Sequence, residues 1–347
     1  RRRQMDDRIT RRKFLGGTLG TVGAMAVLPG SALLSGCASG EKIPHVTLGK
    51  TGLRVSRLAY GGGSRFWSEI EDEAESLRVL NLAIDLGITY LDNAHNYGPD
   101  GKSEKRFAKV LATRRAEVTL ASKINSDLDY DTAMRHIEEN FTWMGVDRIN
   151  IMHLHALDTP EKLAKLDSKD SGLEALRKHK EDGSIGSIGF TAHTNPSNAF
   201  AALDRFDFDV CQLAVNAAHH PEGGQAGGIT FEDDVLPKAK RMGMGVLAMK
   251  AMAQKDLIGA GPGKADPLDL LAYVMSLPVD VTVLGMSTME ILEADVKLAQ
   301  SDLPLPADRI KEIADRVQGV EDPTLLRYVE AGYIDGVSEY PNYAMIH

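Results

Sequence analysis

Between about residue 45 and residue 300, short apolar runs alternate eight times with longer amphipathic ones, and this rhythm restricts the fold more than any other feature of the chain. A strand followed by a helix, repeated without a break, builds a parallel sheet covered by helices. The strand candidates are Arg57 to Tyr60, Thr89 to Asp92, Val118 to Lys123, Ile149 to His153, Ser187 to Phe190, Val210 to Leu213, Gly245 to Met249 and Val281 to Leu284. Helical patterns fill the intervals. Asp72 to Leu86 puts Leu77, Leu80, Ala83 and Ile84 on one face, and Tyr130 to Met144 is a second clear case. Gly87, Gly145 and Gly183 stand where helices should stop, because glycine accepts the left-handed backbone that ends one.

Eight such units over roughly 255 residues predict an α/β fold, a (β/α)8 TIM barrel, with an open doubly wound sheet as the competitor. Val46 to Val55, centred on Lys50-Thr51-Gly52, reads as an N-terminal β-hairpin placed to plug the barrel floor. The chain ends in a helix and a tail bearing Tyr328, Tyr333, Tyr340 and Tyr343, expected to pack on the barrel's side rather than reach its mouth.

Ahead of the barrel, Arg11-Arg12-Lys13-Phe14-Leu15 follows Thr10 and leads into a glycine-rich, mildly apolar run ending in Leu33-Leu34-Ser35-Gly36-Cys37. A basic head, an apolar stretch and small residues make a bacterial secretion signal, and this one resembles a twin-arginine export signal joined to a lipoprotein cleavage box. The expected organisation is a signal segment at 1–36, a linker at 37–44 and a single barrel domain at 45–347. The resemblance implies use of the twin-arginine export machinery, lipidation at Cys37 and a periplasmic or membrane-anchored location. An uncleaved transmembrane anchor is the alternative, weakened by the glycines in the run. With Cys37 at the leader, Cys211 is the only other cysteine, so no intramolecular disulfide is expected. The formal charge is −9, and residues 1–36 carry seven basic and two acidic side chains, leaving −14 on the remainder. Such an acidic surface argues against nucleic acid, and against any membrane tie other than a lipid anchor or an uncleaved signal.

In a strand–helix barrel the chemistry gathers at the C-terminal ends of the strands. Asp92 closes the second strand, Lys123 the third, His155 lies just past the fourth, and Tyr97 sits in the loop after Asp92. A tyrosine acts as a general acid only where something stabilises its phenolate. The Lys123 ammonium can do so, Asp92 can hold that lysine protonated, and a neutral His155 can orient a substrate oxygen. The run Gly87-Ile88-Thr89-Tyr90-Leu91-Asp92-Asn93-Ala94-His95-Asn96-Tyr97-Gly98, followed by Ser103-Glu104, resembles the signature of the aldo-keto reductase superfamily. So does Leu48-Gly49-Lys50-Thr51-Gly52-Leu53-Arg54-Val55-Ser56. The resemblance covers most of residues 45 to 300. It implies the barrel, NADP or NAD as cofactor, and reduction of an aldehyde or ketone, or the reverse oxidation, by hydride transfer with Tyr97 as the acid.

The same resemblance implies cofactor contacts. Gln212 matches the family's carboxamide-binding glutamine, and Thr191-Ala192-His193 replaces its serine-asparagine pair. Met249, followed by Lys250, stands where many members stack an aromatic ring on the nicotinamide. Gly285-Met286-Ser287-Thr288 resembles the adenosine-phosphate loop, although Gly285 and Ile291 replace the basic residues that grip the extra phosphate of NADP. The Gly259 to Lys264 segment could wrap a pyrophosphate, but it matches neither the Rossmann fingerprint nor a P-loop. Phe66 and Trp67 after the first strand, and Asn216, His219 and His220 after the sixth, form a mixed rim suited to a sugar-like carbonyl. Export away from the cytoplasmic cofactor pool predicts a tightly bound cofactor.

Two other readings remain open. His153 and His155 face the same way along a strand, and with His193 and Asp92 or Lys123 they could hold the metal of a barrel hydrolase. Against this, the pair lies on the fourth strand and no acidic residue closes the eighth. The second alternative is a non-catalytic cofactor-binding sensor, which would have no need of the four reactive residues.

Overall fold

The structure is a computed structural model that describes residues 42–219, 228–318, 326 and 328. The signal segment, Cys37, His220, Tyr333, Tyr340 and Tyr343 lie outside the described residues. The chain divides after Lys42 into two units, and the second, Ile43–His347, holds the whole of the strand–helix repeat.

Each of the eight expected strands forms: β3 (Leu58–Gly61), β4 (Tyr90–Asp92), β5 (Thr119–Asn125), β6 (Ile149–His155), β7 (Ile185–Ala192), β8 (Val210–Ala214), β9 (Gly245–Met249) and β10 (Val281–Leu284). Neighbours in sequence are neighbours in space, every pairing is parallel, and β10 closes on β3 with Thr282 opposite Leu58. The sheet is therefore a closed barrel and not an open one. Around it lie α1 (Glu73–Asp85), α2 (Lys102–Arg114), α3 (Tyr130–Met144), α4 (Gly172–Asp182), α5 (Pro196–Arg205), α6 (Leu236–Arg241), α7 (Pro267–Ser276), α8 (Met289–Ala299) and α9 (Ala307–Gln318).

Local chemistry sets the helix ends. Asp72, Asp129, Asn195, Asp266 and Thr288 each accept a bond from a first-turn amide of the helix they precede, removing one of its unpaired donors. Gly145 and Gly183 end α3 and α4 in the left-handed region, at φ 64° and 84°. Among the described residues, no helix is long and apolar enough to cross a membrane.

The hairpin also forms, with β1 (His45–Thr47) antiparallel to β2 (Arg54–Ser56). Leu48 and Val55 are fully buried in one cluster with Ala59, Tyr90, Ala121, Ile151, Val210 and Leu247, inward residues of the barrel strands. The floor is thus closed by side chains, and chemistry is confined to the opposite end. Gly49 makes this approach possible: at φ 48°, a Cβ there would lie 2.1 Å from the Gly245 nitrogen.

One expectation is corrected at the C-terminal end. Helix α9 packs on the barrel through Ile313 and Val317, but Tyr328 reaches the mouth, where it is 3% exposed. The Asn216 Nδ2 group donates to its hydroxyl at 2.9 Å, and the Lys250 Nζ lies 5.6 Å from its ring centre. A partner for the hydroxyl and a cation for the ring make the rim a better place for this tyrosine than the barrel's flank.

Replacing Gly49 by alanine should cost about 3 kcal/mol, from overpacking plus left-handed strain. Gly52, at φ 74° with nothing within 4 Å of its Cβ position, should lose only about 1 kcal/mol. Urea unfolding of both variants checks the difference.

Candidate active site

The strand ends β4, β5 and β6 are adjacent, and they carry Asp92, Lys123 and His155. The Lys123 ammonium donates to Asp92 Oδ2 at 2.6 Å, to the Asn93 carbonyl at 2.7 Å and to Tyr97 Oη at 3.1 Å. Three N–H donors thus meet three oxygens. Asp92, Lys123 and His155 are at most 2% exposed and Tyr97 is 5% exposed. A charge so far from water persists only when paired; the ammonium spends all three donors, while Asp92 answers it through Oδ2 and its Oδ1 has no hydrogen-bond partner among the described residues. The Tyr97 ring meets that of His155 edge-on, with centres 5.8 Å apart. All four expected residues are brought together, and the Asn93 carbonyl joins them. Sequence reasoning passed over Asn93 because a backbone acceptor leaves no mark in side-chain chemistry.

Trp67 belongs with this loop. At Gly98, where φ is 86°, a Cβ would lie 2.9 Å from the Trp67 ring, so the indole lies against the chain next to Tyr97. Phe66, expected on the substrate rim, is instead fully buried between Tyr60 and Phe107, at ring distances of 5.7 and 5.1 Å. Consecutive residues of the helical turn Ser64–Trp67 face different ways, and the apolar core takes the phenyl ring.

The metal-ligand reading fails on geometry. Among the described residues, the side chains close enough to share an ion are His95, His136 and Glu139, or His219, Glu232 and Asp233, and neither set contains His153, His155 or His193. His153 is fully buried beside Lys123, in the space left by Gly189, whose Cβ would lie 2.7 Å from its Nδ1. Burial, then the charges of Lys123 and His155, hold its pKa well below the usual histidine value. It is a neutral core histidine. His155 turns instead toward Tyr97 on one side and the His193 ring, 5.6 Å away, on the other.

Of the expected cofactor residues, Gln212 shows the clearest opening. Its Nε2 faces the Met249 sulfur at 3.7 Å, while its Oε1 is buried without a hydrogen-bond partner among the described residues. Such an orphaned acceptor suits a carboxamide N–H₂, so this end of the pocket fits a nicotinamide. The Thr191 hydroxyl accepts from the Ala156 amide at 2.8 Å and lies 3.3 Å from His193 Nε2, so it braces the loop after His155. Met286 is buried and its carbonyl accepts from Tyr60 Oη at 3.0 Å. Thr288 caps α8 and Ser287 is half-buried before it. Gly285 leaves room for Arg65, since a Cβ would lie 2.5 Å from the arginine Cβ. The stem of Arg65, from another element, therefore packs over this strand end, while its guanidinium pairs with Glu69.

The turn after β9 carries a signal absent from the sequence pattern. Lys250, Ala253, Gln254 and Lys255 all have positive φ, between 44° and 79°, and strain of this kind concentrates at ligand sites. Lys255 and Arg65 both pair with Glu69, tying this turn to the one after β3. Gly259 to Lys264 is held differently, with the Gly263 amide bonded to the Arg316 carbonyl of α9.

Beside the tetrad, a cleft is lined by His193, Asn216, His219, Thr230, Glu232 and Tyr328, among others. His219 lies between Glu232 and Asp233, at 3.4 and 2.8 Å, and those carboxylates raise its pKa. The carboxylates come from the π-type turn Phe231–Val235.

Comparison with known proteins identifies the family. Residues 57–261 match the Aldo/keto reductase family. The chain belongs to that family. It is an NAD(P)H-dependent aldo-keto reductase in class. It is 28% identical over 241 residues to L-galactose dehydrogenase of Arabidopsis thaliana, covering 65% of this chain and 70% of that one. It is 29% identical over 225 residues to L-glyceraldehyde 3-phosphate reductase of Escherichia coli K12, covering 61% and 62% respectively. The fold is shared with an aldo-keto reductase of Bacillus halodurans in its holo form, with TM-score 0.66 at 20% identity over 83% of this chain and all of that one.

In this reductase, Glu104 is a further buried acid behind the tetrad. Ser122 Oγ donates to it at 2.6 Å, and Asn140, with its amide turned to donate, reaches it at 3.1 Å. Burial raises its pKa to about 8, against the opposing pull of Ser122 and Lys123. The stabilisation from holding it protonated is therefore full below about pH 4.5 and lost as pH rises through about 8. Glu104→Gln, which fixes the uncharged form, should flatten the fall in stability across that window. Denaturant unfolding at a series of pH values checks it.

Proposed function

We propose that this chain interconverts a carbonyl and an alcohol with Tyr97 as general acid and base, and that its substrate is a small hydroxylated, sugar-like carbonyl compound. The observation that carries the reading is the buried Lys123 ammonium bonded at once to Asp92 and Tyr97. When a reduced nicotinamide is bound it supplies the hydride. The remaining work falls to the protein. His155 donates a hydrogen bond to the substrate oxygen and fixes its direction. As negative charge develops on that oxygen, Tyr97 Oη gives it a proton, and Lys123 stabilises the tyrosinate left behind. Asp92 holds the ammonium in register. The buried walls keep water from competing for the proton.

Gln212 Oε1 is the acceptor assigned to the carboxamide, with Met249 beside it. Export away from the cytoplasmic cofactor pool, where the leader at 1–36 points, supports a cofactor that stays bound between turnovers. Arg65, whose stem lies against Gly285, is a cation beside the expected adenosine-phosphate loop. The polar side chains His193, Asn216 and Glu232 in the cleft beside the tetrad support a hydroxylated substrate, in line with the sugar named for the Arabidopsis relative. The leader at 1–36 and Cys37 support export and a lipid anchor, which cell fractionation with and without Cys37→Ser would test. A sensor role is less economical, because a sensor gains nothing from a tyrosine held on a buried ammonium.

Tyr97→Phe should lower turnover of hydroxylated aldehydes about 1,000-fold, with cofactor affinity kept. Steady-state rates and fluorescence titration of the cofactor check this, and undiminished turnover would sink the mechanism.

A further inference from the structure

Three side chains on one face of α3, His136, Glu139 and Trp143, converge on the loop that carries Tyr97. His95, two residues before the tyrosine, is slotted between two rings. The His136 ring stacks on it at 3.9 Å with planes 8° apart, and the Trp143 ring lies on its other face at 4.6 Å and 24°. Its Nε2 is 2.7 Å from Glu139 Oε2, and its amide donates to the Lys123 carbonyl at 3.0 Å. Beyond Tyr97, Trp143 also covers Gly101, where a Cβ would fall 2.2 Å from the indole. Lys105 of α2 lies 5.4 Å from the same ring. One helix thus grips the loop on both sides of Tyr97.

These residues are close enough to be read as metal ligands, but the stacking speaks against it. Imidazole lone pairs lie in the ring plane, and two nearly parallel planes stacked face to face share no point where one ion could meet both. The arrangement grips a loop; it does not ligate.

We propose that His95, His136, Glu139 and Trp143 form a clamp that positions Tyr97 for proton transfer, and that acid opens it. His95 is a positioning residue that acts through Tyr97, so the proposal rests on the catalytic reading above. Burial lowers the pKa of both histidines, with Glu139 opposing at His95 and Arg135 adding to the lowering. At His136 the neighbouring His95 and Arg135 lower it further, while Glu139 and Asp129 oppose. Near neutral pH both rings are uncharged and stack. Two facing imidazoliums repel. Because both native values lie below the ordinary 6.5, the clamp is complete above about pH 6.5 and lost as pH falls through the native values.

The full chain tests this through three kinds of change. His95→Leu should lower kcat about tenfold or more, with KM and cofactor affinity changed less than about twofold, as a displaced acid would. Glu139→Gln, which keeps a hydrogen bond, should stay within about twofold in kcat, while Glu139→Leu should follow His95→Leu. His136→Phe keeps a stacked ring that cannot titrate, so the acid limb of its kcat profile should move about one unit lower than that of the parent. Hydrogen exchange of the amides from 93 to 101 provides a readout independent of turnover, and should quicken in His95→Leu. Unchanged kcat and unchanged exchange in His95→Leu, or an unmoved acid limb in His136→Phe, would overturn the clamp. Failure of Tyr97→Phe to lose activity would count against the catalytic reading instead, leaving exchange to judge the clamp.

Discussion

A lysine ammonium with almost no access to water is stable only where its three protons find acceptors, and that requirement organises the reactive end of this barrel. Lys123 meets it with one carboxylate, one backbone carbonyl and one phenol. Each acceptor comes from β4 or the loop after it, while the lysine comes from β5. The pairing of these two strands, with Asp92 opposite Ala121, therefore sets the distance from the carboxylate to the ammonium before any side chain adjusts. Removing the carboxylate would leave a buried charge unanswered, which costs far more than the pair gains over an apolar replacement. The site tolerates this arrangement because the same charge sits beside the tyrosine hydroxyl.

The closed floor and the built-up rim follow from the same economy of burial. The hairpin fills the base with Leu48 and Val55, so no polar group has cause to enter from that end. At the other end several polar groups are held by neighbours: Asn216 by Tyr328, His219 by two carboxylates, Thr191 by the Ala156 amide. Gln212 differs in offering an oxygen with no partner among the described residues.

Much of this could be read from the chain. The eight strands sit where apolar runs predicted them, and α3 spans the expected Tyr130–Met144, because periodicity and capping residues act locally. Asp92, Tyr97, Lys123 and His155 could be placed because strand ends are visible in sequence and a barrel puts them on one rim. What stayed hidden depends on contacts between distant segments. Phe66 was misplaced because neighbouring residues in one helical turn divide between core and loop. Tyr328 was expected on the flank because nothing in a tail's sequence reveals a hydroxyl partner as remote as Asn216. The strained backbone from Lys250 to Lys255 escaped because none of those residues is the glycine that usually announces positive φ. His95 and His136 looked unrelated because their meeting is a property of how α3 lies on the loop.

The pairing of β10 with β3 has a consequence for how the chain reaches this state. The first barrel strand waits for the last, so Leu58 has its partner Thr282 only after nearly all of the barrel's sequence has been made. Until then the growing sheet has two open edges, with unpaired amides and carbonyls that could recruit another chain. Pairing over such a separation forms late and slowly. The interval before closure is when the nascent protein is most exposed to aggregation, and its concentration during synthesis bears on its yield as much as its final stability does.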